Sequence, residues 1–244
     1  MYYIWKYLLI TITLLLTANQ LYLAEDSDQK VIVVTDNIPP YTYQNSEGKF
    51  VGIIAEKVHS LFNKAGISYE IKRIPWKRTI VKSYPDSNLM IYPLSRIPER
   101  ESNFQWIMPL YSESLNIYGL AEKYSNKKID ITSGDYRFIC VEKTSLCSAL
   151  RTMNVPEHAI TKITQVATTQ LLKMVVRERI DFLIMAKAEI ELSQKELGLS
   201  SDFFVTLDGY QYDVVEYLAA KPGINSQIIA RMRMTAEKML YNED

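Results

Sequence analysis

The run Ser95-Arg96-Ile97-Pro98-Glu99-Arg100-Glu101 carries the most legible chemistry in this sequence. Arg100 offers a planar guanidinium whose paired donors match a carboxylate. Pro98 suits the first turn of a helix, where unpaired backbone N–H groups also favour an anion. A second such point is Thr144-Ser145, two hydroxyl residues placed to cap a helix and meet an anion, with Lys143 adding positive charge in front of them. Trp76 follows Pro75 at a strand end, where its ring would stack on a bound molecule. Each residue also has a plainer reading: an arginine in a charged surface turn, and a tryptophan packed between helix and sheet. No Ser/His/Asp set, HExxH pattern or phosphate loop appears. His59 and His158 stand alone in sequence, and Cys140 and Cys147 lack third and fourth partners, so neither a metal nor another cofactor is expected. The cysteine pair reads as a disulfide in an oxidising compartment or as two buried thiols.

The whole chain narrows the classes further. Its 244 residues fit one large domain or two small ones. Lys+Arg and Asp+Glu balance at 28 each, and the pI near 6.8 argues against nucleic acid as a partner. Lys6 precedes an uncharged stretch from Tyr7 to Leu16, which has the form of an export signal and is too short for a span of about 20 apolar residues. Cleavage after Ala24 or Ala18 releases a periplasmic chain; without cleavage the same segment anchors it outside the inner membrane. No cysteine lies near these positions, so a lipoprotein is not expected.

The elements that position these residues alternate. Val31 to Thr35 reads as a strand, and Gly52 to Ala65 as a helix with Ile54, Val58, Leu61, Phe62 and Ala65 on one face. Ser68 to Arg73 is a strand, Pro75 to Tyr84 a short helix, and Leu89 to Tyr92 a buried strand. The pattern repeats with strands at Tyr136 to Val141, Ile160 to Thr164 and Asp181 to Met185, and helices at Ser145 to Met153, Thr168 to Arg179 and Ala188 to Leu197. Leu115 to Glu122 and Val214 to Ala220 connect the two units, and a closing helix follows Ile224. Two α/β units of this kind each imply a sheet with helices on its faces and a cleft between them. The expected divisions are 1–24 signal, 25–112 the first part of lobe 1, 113–207 lobe 2, and 208–244 the return to lobe 1 with the C-terminal helix.

Three segments in order resemble bacterial family 3 solute-binding proteins, the periplasmic amino-acid-binding proteins of ABC transporters. They are Asp36-Asn37-Ile38-Pro39-Pro40-Tyr41-Thr42-Tyr43 with Glu47-Gly48-Lys49-Phe50-Val51-Gly52; the Ser95 to Glu101 run with Phe104 and Pro109-Leu110-Tyr111; and Arg179-Ile180-Asp181-Phe182-Leu183-Ile184. The resemblance spans about residues 30–240 and implies the type II periplasmic-binding-protein fold, an α/β fold of two lobes joined by two crossing hinge strands.

It also implies a site. Arg100 would fork onto a ligand carboxylate with Ser95 as hydroxyl partner; Tyr41, Trp76 and the strand-end Asp36 would line the cleft, with Thr144 and Ser145 opposite. The acid that pairs with the ligand's ammonium in amino-acid binders is replaced here by Ala186, and Glu189 is expected one helical turn along and outside the pocket. The resemblance thus implies a monomer capturing a small, carboxylate-bearing solute by hinge closure for an ABC permease. Two rivals share the fold: a sensing module for a membrane signalling protein, and a cyclohexadienyl-dehydratase-like enzyme with Glu142 or Glu189 as acid.

Overall fold

The computed structural model describes residues 30–74, 88–164 and 167–241. The export signal at residues 1–24, Trp76 and the helix expected at 75–84 fall wholly or largely outside these residues.

In the first unit, β1 (Val31–Thr35) lies between β4 (Tyr69–Arg73) and β5 (Leu89–Ser95), parallel to both. A small hairpin, β2 (Tyr43–Gln44) and β3 (Phe50–Val51), leads into α1 (Ile53–Ala65). The apolar face of α1 buries Ile54, Val58, Leu61 and Phe62, as their helical spacing dictates, and Gly66 in the left-handed conformation ends the helix. The C-terminal helix α5 (Ser226–Tyr241) packs Met232 and Ala236 into the same core.

In the second unit, β7 (Phe138–Val141) lies between β8 (Ile160–Ile163) and β9 (Phe182–Ala186), again parallel to both. Helices α2 (Ser145–Thr152), α3 (Thr168–Val176) and α4 (Lys187–Glu196) cover it. The period of two in β9 sends Phe182 and Ile184 into one core and Leu183 and Met185 into another, so both faces of the sheet are buried. α3 stops short of its expected end at Arg179, because Arg177 leaves the helix and Glu178 turns left-handed at φ 53°.

Two long antiparallel strands join the units: β6 (Gln105–Leu120) and β10 (Phe204–Ala220). β10 pairs with β5 in the first unit, and β6 pairs with β9 in the second. Their mutual register breaks between Thr206 and Gln211. Both strands are longer than expected, and the chain crosses between units on them alone among the described residues. No helix of the described residues is long and apolar enough to cross a membrane.

Candidate functional site

A cavity of about 420 Å³ opens where the ends of β1 and β5, the crossing strands, the N-termini of α2 and α3 and one face of α4 converge. Cavities of this size ordinarily hold small ligands. The first unit contributes Asp36, Tyr41 and Ser95; the second contributes Thr144, Ser145, Thr168, Thr169 and Glu189; the crossing strands contribute Tyr111, Glu113 and Glu216. Tyr41 is held by its backbone: Ile54 N–H, in the first turn of α1, donates to its carbonyl at 3.0 Å. Gly52 makes that approach possible, since its φ is 116° and an added Cβ would stand 2.5 Å from the same oxygen.

The charged side chains of this wall are acids. Tyr41 Oη donates to Glu113 Oε2 at 2.6 Å, and Ser95 Oγ lies 2.5 Å from Glu216 Oε1 and 3.0 Å from Ser145 Oγ. A hydroxyl has one proton, so when Ser95 donates to an ionised Glu216 it accepts from Ser145 across the cleft. Burial pushes the Glu216 carboxyl up to about 7, with the Glu113 charge adding and the Ser95 bond and Arg100 opposing. Burial, then the Glu113 and Glu216 charges, push Glu189 up to about 8. Glu113 is raised by burial too, against the bond from Tyr41.

The two units also touch directly beside the cavity. Arg100 is buried; its Nη1 donates to the Ser95 carbonyl at 2.9 Å and its Nη2 reaches across to the Lys143 carbonyl at 2.8 Å. Lys143 presents that carbonyl from a left-handed turn at φ 63°. Farther out, Ser148 Oγ donates to Glu99 Oε1 at 2.9 Å, and Arg151 stands 3.4 Å from the same oxygen. The disulfide between Cys140 and Cys147, with Cα atoms 5.3 Å apart, ties the end of β7 to α2.

The structure therefore brings Asp36, Tyr41, Ser95, Thr144 and Ser145 together around one cavity. It does not add Arg100, which is not among the lining residues. Its guanidinium donates to two backbone carbonyls, one from each unit, which clamps one unit to the other. Thr144 caps α2, accepting from the Leu146 N–H at 3.3 Å. Trp76 lies outside the described residues. Glu189, expected outside the pocket, lines it: α4 begins at Lys187 and its first turn faces the cleft. Glu113 and Glu216 were not anticipated. Their signal is a lone carboxylate in a strand otherwise fit for burial, as in Val214-Val215-Glu216-Tyr217-Leu218.

Solved structures with the same fold exist at low sequence identity. The arginine-, lysine-, histidine-binding protein ArtJ from Geobacillus stearothermophilus is 17% identical, with a TM-score of 0.71 over 88% of this chain and 90% of that one. A histidine kinase sensor domain similar to periplasmic binding proteins is 13% identical, with a TM-score of 0.74 over 89% and 93%. The ancestral amino acid-binding protein AncCDT-1, a precursor of cyclohexadienyl dehydratase, is 13% identical, with a TM-score of 0.68 over 88% and 90%. No match is found among curated proteins. The family model for bacterial extracellular solute-binding proteins, family 3, matches residues 31–195, and the chain belongs to that family.

Proposed function

We propose that the chain is an exported binding protein that closes its two units around a small polar solute, for uptake through a membrane permease. The observation that carries this reading is a cavity walled by both units and both crossing strands, with hydrogen bonds spanning the cleft beside it. A solute touching both walls favours the closed arrangement by its differential affinity, and the crossing strands are the only place where the described chain can bend to open it. A thermal-shift screen of amino acids, amines, small carboxylates and oligopeptides tests the reading, because a ligand that binds only the folded state raises its apparent stability. A protein indifferent to every solute class would refute it.

Sensing is the second reading, and the sensor domain of a histidine kinase on this fold favours it. Permease and ATPase genes beside this one support transport; a membrane kinase or cyclase gene supports sensing. An enzyme of the dehydratase kind is disfavoured by the cavity itself, whose acidic wall repels an anionic substrate. Turnover of prephenate or arogenate by the purified chain would reverse that ranking.

A further inference from the structure

We infer that the cleft selects a small organic cation, an aliphatic amine or guanidine that needs no carboxylate, and that Glu113, Glu189 and Glu216 recognise it. This rests on the binding reading and narrows its ligand class. Among the described residues lining the cavity, Asp36, Glu113, Glu189, Glu216 and the exposed Glu196 are acidic, and none is Lys, Arg or His.

The acids come from separate elements that converge. Glu113 stands on β6 and Glu216 on β10. Glu113 pairs with Val214, so Glu216, two residues on, is its diagonal neighbour on the same face of the crossing strands. Glu189 enters from α4 on the far side and accepts no hydrogen bond from the described residues; the surface it keeps open faces the cavity. Three carboxyl groups in a partly desolvated space repel one another when ionised, and either protonation or a bound cation relieves them.

The remaining wall suits a cation as well. The rings of Tyr41 and Tyr111 line the cavity with centroids 5.2 Å apart, and aromatic faces attract ammonium and guanidinium groups. Ser95, Thr144, Ser145, Thr168 and Thr169 supply neutral oxygens. An anionic ligand has the opposite prospect. Its carboxylate would lie among acids, while the nearby guanidinium of Arg100 is turned to the carbonyls of Ser95 and Lys143. Because the acids sit on both crossing strands and on the second unit, one cation between them draws the bending strands and the moving lobe to the same point.

The test uses pairs of solutes that share a cation and differ by one carboxylate. Agmatine and L-arginine form one pair; 1,5-diaminopentane and L-lysine form the other; succinate and L-glutamate are the anionic probes. Binding is read by thermal shift and titration calorimetry on the whole protein. The expected result is that agmatine or 1,5-diaminopentane binds at least as tightly as its parent amino acid. Glu216→Gln and Glu189→Gln should each weaken that binding by about thirtyfold or more, since each removes one member of a desolvated charge pair. An amino acid that binds more than about tenfold tighter than its decarboxylated partner would overturn the inference and leave the binding reading standing. So would binding of succinate with silence from both amines. Silence from all six probes overturns the inference, and the broader screen then decides the binding reading. The solute pairs need no variant, so a variant that misfolds does not protect the idea.

Discussion

Glu216→Gln should make the empty protein more stable, and only above a definite pH. The carboxyl is 8% exposed, and burial moves it from 4.5 to about 7. A group whose folded value is raised contributes stability that is present below its unfolded value and is lost as pH rises through its folded value. For Glu216 the loss accumulates from about pH 4.5 and is complete above about pH 7. Two and a half pH units correspond to about 3 kcal/mol. Glutamine keeps an acceptor for the Ser95 hydroxyl and carries no charge, so it escapes that loss. Arg100 and Glu113 act on the same carboxyl in opposite directions and both remain in the variant. The assay is urea and thermal unfolding of wild type and variant, without ligand, in matched buffers at pH 5, 7 and 8.5. The two should be close at pH 5 and separate by about 3 kcal/mol at pH 8.5, or roughly 6–12 °C in melting temperature for a domain of this size. A difference that stays constant from pH 5 to 8.5 would refute the claim that burial of an ionised Glu216 strains the empty cleft.

Other perturbations read other parts of the molecule. The affinity for agmatine or 1,5-diaminopentane should rise between pH 6 and 8, because a bound cation favours the ionised forms of Glu216 and Glu189; calorimetry in buffers of different ionisation enthalpy should detect the released protons. Replacing Cys140 and Cys147 together by serine should cost about 2.5 kcal/mol in urea unfolding, the chain-entropy value for so short a loop. Phe182→Ala should cost about 3–5 kcal/mol, since the ring is fully buried against Tyr124 and Phe138; a loss below about 1 kcal/mol would mean the second core does not depend on it. Gly52→Ala should lower both stability and ligand affinity, because the new Cβ meets the Tyr41 carbonyl that anchors a cavity ring.

Much of the fold was legible because periodicity is local. The apolar stripe of α1 and the bounds of β1 follow directly from residue spacing. The crossing strands were harder. Glu113 faces a cleft rather than a core, and its neighbours Ser112 and Ser114 are polar on the other face, so the pattern of a buried strand breaks where the strand matters most. The site was legible where residues follow a strand end, as Asp36 and Tyr41 do, or where hydroxyls begin a helix, as Thr144 and Ser145 do. Glu113, Glu189 and Glu216 come together through the pairing of β6 with β10 and the placement of α4. The bond from Arg100 to Lys143 was hidden for a related reason: a guanidinium matches a carboxylate and two carbonyls equally well in sequence, and the left-handed turn at Lys143 that presents its carbonyl is a tertiary feature.

The bond between Cys140 and Cys147 has a consequence for how the clasp between the units forms. It encloses Lys143, Thr144 and Ser145, the residues through which the second unit meets Arg100 and Ser95. Their receiving surface is thus shaped by an oxidation step, separate from the folding of either sheet. A reduced chain lacks that brace. Maturation of the clasp is therefore tied to the redox state of the chain's surroundings.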